Sequence, residues 1–110
     1  MAGNKPIEDT LILTRGADFV AAFAKHPSDP EIGAGTTARI EITETSATDA
    51  PILHTWNATA VTGDRIEFRV ESEDTDIVPA RMRFRLMVRF ADTPEALDHC
   101  WRYGVIERIQ

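Results

Sequence analysis

"MRFRLMVRF", residues 82–90, alternates without a break: Met82, Phe84, Leu86, Val88 and Phe90 share one parity, and Arg83, Arg85 and Arg89 the other, with Arg81 just upstream. A period of two over this length describes a β-strand with one face in a core and the other outside it. A helix would bring both residue types to every side, so this stretch decides for sheet.

Working outward, the same period recurs. "RIEFRVES" (65–72) turns Ile66, Phe68 and Val70 inward, and "TARIEITE" (37–44) does so with Ala38, Ile40 and Ile42, leaving Arg39, Glu41 and Thr43 outside. "ILHTWNATAV" (52–61) reads as one strand joined to 65–72 by "TGD" (62–64), a tight hairpin turn in which Gly63 can take positive φ. "TLILTRG" (10–16) forms a first strand stopped by Gly16, and "ADFVAAFAK" (17–25) a second that pairs with a later one. "WRYGVIERI" (101–109) closes the chain. Helix is expected only as short turns: at "DIVPA" (76–80), capped by Asp74 or Asp76, and at "DTPEALDHC" (92–100), where Pro94 suits the first helical position. Residues 26–36, with two prolines and two glycines, are a loop, and 45–51 a turn-rich connection. The expected fold is all-β: an antiparallel β-sandwich, immunoglobulin-like or jelly-roll-like, of about six to eight strands. Residues 1–110 make a single domain, with 1–9 expected as a flexible N-terminal segment.

Composition bounds the function. The chain is 43% hydrophobic and 27% charged, with net charge -6, which argues against general nucleic-acid binding. No apolar run approaches a membrane span, and "MAGNKPIEDT" has no signal-peptide core, so synthesis inside a cell and no membrane partner are expected. Cys100 is the lone cysteine, so no intrachain disulfide forms, and a small buried side chain is expected there.

Why an acidic chain lines one strand face with Arg81, Arg83, Arg85 and Arg89 has three answers. The first is charge balance against Glu67 and Glu71 on the preceding strand, which keeps a sheet face solvated and in register. The second is a protein interface, where arginine is enriched; nucleic acid is the third. The acids of "ESEDTD" (71–76) lack the turn glycine of a calcium loop and read as a solvated loop. His26, His54 and His99 share no ligand spacing, and His99 and Cys100, being adjacent, point to opposite strand faces. No catalytic residue, cofactor site or metal site is therefore assigned, and "GAGT" (33–36) is not a phosphate loop. Trp56, Trp101 and Tyr103 are the candidate sugar-stacking rings, weighed against the buried tryptophan common in sandwiches.

Three segments together carry a resemblance: "TLILTRGADFVAAF", "RIEFRVESEDTDIVPARMRFRLMV" and "WRYGVIERI". Leu13, Arg15, Gly16 and Phe19 end the first strand, Asp76, Ile77 and Pro79 form a turn before the long strand, and Trp101, Tyr103, Gly104 and Val105 close the domain. This layout resembles the bacteriophage LtfC-like β-sandwich domains and is similar, more distantly, to the N-terminal domain of phage upper baseplate proteins. The resemblance implies a non-enzymatic virion structural protein, made in the bacterial cytoplasm and associated with tail or baseplate. Its partners would be other virion proteins, with further copies of itself in the assembled particle. A carbohydrate-binding attachment module, and a capsid decoration or head–tail connector protein, are the alternatives.

Overall fold

The computed structural model describes residues 7–25, 32–33, 35–45, 47, 49–90 and 97–109, apart from the side chains of Leu97 and Asp98. Among them the chain forms β1 (Ile7–Thr14), β2 (Phe19–Ala24), β3 (Thr37–Thr43), β4 (Ile52–Asn57), β5 (Ala60–Val61), β6 (Arg65–Val70), α1 (Ser72–Thr75), β7 (Arg83–Phe90) and β8 (Leu97–Ile109). The strands make a five-stranded sheet, β1-β8-β7-β3-β4, and a three-stranded sheet, β2-β6-β5. This is the expected all-β sandwich. Ile7–Asp9 already belong to β1, so the N-terminal segment is strand from residue 7 onward rather than flexible to residue 9.

Alternation places the core as expected. Ile40, Ile42, Ile66, Phe68, Val70, Phe84, Leu86 and Val88 are all buried, joined by Leu11, Leu13, Phe19, Phe23, Trp56, Val78 and Ile106. Phe23 meets Phe68 edge to face, ring centroids 6.0 Å apart, and Phe19 meets Trp56 at 5.9 Å. Such rings fill the space between two inner sheet faces.

Several expectations give way to tertiary pairing. The strand read at 52–61 is two: Ala58 donates its N–H to Ala38 of the larger sheet, while Thr59 donates to Glu67 of the smaller one. The chain changes sheets at that peptide. Not every pair is antiparallel, because β1 lies parallel to β8 with Asp9 opposite Gly104. β1 and β8 share no hairpin, so connection geometry leaves their direction open. The helical turn forms at Ser72–Thr75 and not at 76–80. Its N-cap, Glu71, makes no side-chain cap bond, and Asp76 sits at the C-cap. The other expected helix, 92–100, falls partly outside the described residues (91–96), but Leu97–Cys100 are strand, because β8 pairs with β7 down to Leu97 opposite Phe90. Gly63 is not at positive φ; Gly16, Gly35 and Gly104 are.

Candidate functional site

The outer face of the larger sheet is organised around Glu41. β3 is central, so this residue is flanked by β4 and β7, with Thr55 and Arg85 opposite it. Arg39 donates from Nε to Glu41 Oε2 at 2.7 Å, and Arg85 donates from Nε to Oε1 at 2.7 Å. The Glu41 side chain is only 6% exposed beneath these two guanidiniums. Burial by itself would raise its pKa, but the two arginines outweigh it and hold the carboxylate below its ordinary value. The expectation that Glu41 and Thr43 lie outside is therefore corrected: Arg39 of the same strand and Arg85 of β7 cover the Glu41 carboxylate, Thr43 Oγ1 donates to Thr45 O at 2.6 Å, and both residues are buried.

The acids expected to balance the arginines are elsewhere. Glu67 lies on β6, in the other sheet, 3.5 Å from Arg65 of its own strand. Glu71 accepts the Asp74 and Thr75 amides with its carbonyl. Neither faces β7, because the chain switches sheets between β6 and β7. Arg83, Arg85 and Arg89 do share the outer face, opposite Thr43, Glu41 and Thr37. Arg81 does not join the row. It precedes the strand at φ 70, with its N–H donated to Ile106 O at 2.8 Å. Arg39 takes its place, a neighbour brought in by register. Four arginines thus stand against one glutamate on β3 and β7, a local excess of three positive charges in a chain of net -6. Arg83 makes no ion pair with any described residue.

Beside them lies an open groove of about 430 Å³, lined by Thr43, Thr45, Ala47, Arg83, Phe84, Arg85, Cys100, Tyr103 and Gly104. It runs across β3, β7 and β8, with guanidiniums, hydroxyls and a phenol on its walls and apolar atoms between them. Cys100 is half-buried there, and burial raises its thiol pKa.

The aromatic candidates do not come together. Trp56 is buried on the inner face against Phe19. Trp101 is half-buried, its ring 6.3 Å from Phe90, at a register shift between β7 and β8. Tyr103 alone of the three is exposed. His99 packs its ring on Phe90 at 5.1 Å and pairs with Val88, whereas Cys100 pairs with Met87 on the outer face. His54 is on β4, and His26 lies outside the described residues. Among the described residues no three His, Cys, Asp or Glu side chains group as metal ligands, and no helix is long and apolar enough to cross a membrane.

Two inward arginines on β8 were not singled out from sequence. Arg102 pairs with Asp9 at 3.0 Å and lies 5.3 Å from the Phe23 ring centre. Arg108, only 8% exposed, donates from Nη1 to Thr75 O at 2.7 Å and Val78 O at 2.9 Å, and reaches Asp76 at 3.4 Å. Both share parity with buried Ile106, and that is the sequence signal that identifies them. Asp76 also accepts the Gly16 amide at 3.1 Å, so the turn motif and the first-strand motif meet in space.

Comparison with curated proteins gave no match. Among solved structures, the chain is similar to one from photo-crosslinking analyses of multimeric cell-adhesive interactions of voltage-gated sodium channel β subunits. The identity is 8%, the TM-score 0.47, and 99% of this chain and 98% of that one are covered. A second, an extracellular domain of the sodium channel β4 subunit in parallel homodimer form, gives 8% identity and TM-score 0.40 over 100% and 99% of the two chains. A family model for the LtfC-like β-sandwich domain matches residues 5–109. The chain therefore belongs to the LtfC-like β-sandwich domain family.

Proposed function

We propose that this chain is a non-enzymatic structural component of a bacteriophage virion, an adaptor at the tail or baseplate that docks through the outer face of its larger sheet. Membership of the LtfC-like family over residues 5–109 carries the reading. The arginine face gives it a physical basis. Long side chains lose up to about 2 kcal/mol of rotamer entropy when a contact orders them. Arg39 and Arg85 are already held by Glu41, so part of that ordering precedes docking. Arginine is also weakly hydrated and meets carboxylates in a fork, which suits an interface better than lysine. The carbohydrate-binding alternative called for paired exposed rings, and burial of Trp56 with partial burial of Trp101 withdraws its support.

The test uses purified particles from a phage encoding the chain. Mass spectrometry should find it in the virion, and immunogold labelling should place it at the tail end; label on the capsid or neck would move the assignment to decoration or connector protein. Absence from washed particles would refute the virion reading. Arg83→Glu with Arg89→Glu should reduce incorporation at unchanged thermal stability, whereas normal incorporation would remove the arginine face as the docking surface.

A further inference from the structure

We infer that the groove beside Arg83 receives the acidic turn after β6 of a second copy of this chain. This rests on the docking reading of the same face and names its partner. The turn is built for presentation. Thr75 and Val78 are fully buried, and Thr75 Oγ1 donates to Ser72 O at 3.2 Å. Arg108 ties the carbonyls of both residues down from below. With those side chains anchored inward, Glu71, Glu73 and Asp74 are exposed, and Ile77 stands 60% exposed beside them. The turn thus offers an apolar knob beside three exposed carboxylates that make no ion pair with a described residue.

The groove is its complement. Phe84, Ala47, Cys100 and Tyr103 supply apolar surface, with Arg83 and Arg85 on the walls and about 430 Å³ of space, ample for an isoleucine side chain. Arg85 is held by Glu41, and Arg83 has no ion pair with a described residue, so a carboxylate from outside meets an uncommitted guanidinium. Both charge and hydrophobicity match between the two patches. Such charge pairing sets partner choice and register, while the apolar contact supplies affinity. Because groove and turn are different surfaces, one contact leaves each copy with a free half, and the contact repeats around a ring or along a chain.

Sedimentation of the purified chain, up to roughly millimolar concentration, reads this directly. Wild type should self-associate, and Arg83→Glu and Ile77→Glu should each weaken association about tenfold or more, since each sits on one half of the contact. Both positions are exposed, so each variant should keep the wild-type circular dichroism spectrum and unfolding temperature. The deciding experiment mixes the two variants. One retains an intact turn and the other an intact groove, so the mixture should regain a single contact and form a one-to-one pair. A monomeric wild type, variants that associate as wild type does, or a mixture that stays monomeric would overturn the inference. Particle incorporation is measured separately, so a wild-type chain that stays monomeric in solution yet enters particles removes this inference and leaves the virion reading in place.

Discussion

Replacing Gly104 with alanine should be among the most damaging single-methyl additions to this fold. β1 and β8 run parallel with Asp9 opposite Gly104, and a Cβ at residue 104 would lie 1.8 Å from the Asp9 carbonyl oxygen and 3.3 Å from Phe84 Cε1. Ordinary carbon–oxygen contacts are about 3.3 Å or longer, so β1 would have to retreat by about 1.5 Å. The obstacle is backbone in a registered ladder, with no rotamer that moves it away. Gly104 also has φ 156, and a side-chain-bearing residue in that region costs about 1–3 kcal/mol. β1 carries Leu11 and Leu13, 3% and 1% exposed, and burial of each is worth about 1.5–3 kcal/mol. Strain plus partial loss of that burial sums to about 3–5 kcal/mol, a large share of a stability of about 5–15 kcal/mol. Thermal unfolding followed by circular dichroism should show Tm lowered by at least about 10 °C. Gly16 is the control: φ is 77, but a Cβ there meets nothing within 4 Å, so Gly16→Ala should cost only the left-handed backbone penalty of about 1–2 kcal/mol. Equal effects from the two variants, or a near-neutral Gly104→Ala, would refute the close-approach argument.

Phe68→Ala and Phe84→Ala, which empty fully enclosed sites between the sheets, should each cost about 3–5 kcal/mol in urea denaturation. Glu41→Gln leaves Arg39 and Arg85 without their shared carboxylate and should cost about 1.5–3 kcal/mol near neutrality. Because folding lowers the Glu41 pKa from 4.5, its contribution is complete above that value and is lost as pH falls through the lower folded value. The gap between wild type and Glu41→Gln should therefore close in acid, and a pH-independent gap would contradict the assignment. Arg108→Met keeps the apolar stem but removes the donors to Thr75 O and Val78 O; a loss of about 2–3 kcal/mol is expected, with faster amide exchange in residues 72–78.

Residues 82–90 and 65–70 could be placed from sequence because a strand's side-chain parity is local: alternate residues face one way whatever the neighbouring strand is. That physics determined the core of Ile40, Ile42, Ile66, Phe68, Val70, Phe84, Leu86 and Val88, and the outward aim of Arg83, Arg85 and Arg89. Partnership is not local. Adjacency in the chain suggested that Glu67 and Glu71 would balance the arginines, yet β6 and β7 belong to different sheets, and the balancing carboxylate comes from Glu41 across a register set by β3. The switch of sheets at Ala58–Thr59 likewise leaves no mark in the alternation, since both halves keep period two while their hydrogen bonds go to different strands. Gly104 joins the two levels. A glycine interrupting the alternation marks a special position in the sequence, but that the intruder is the Asp9 carbonyl follows only from parallel pairing of the chain's first and last strands, which tertiary packing decides.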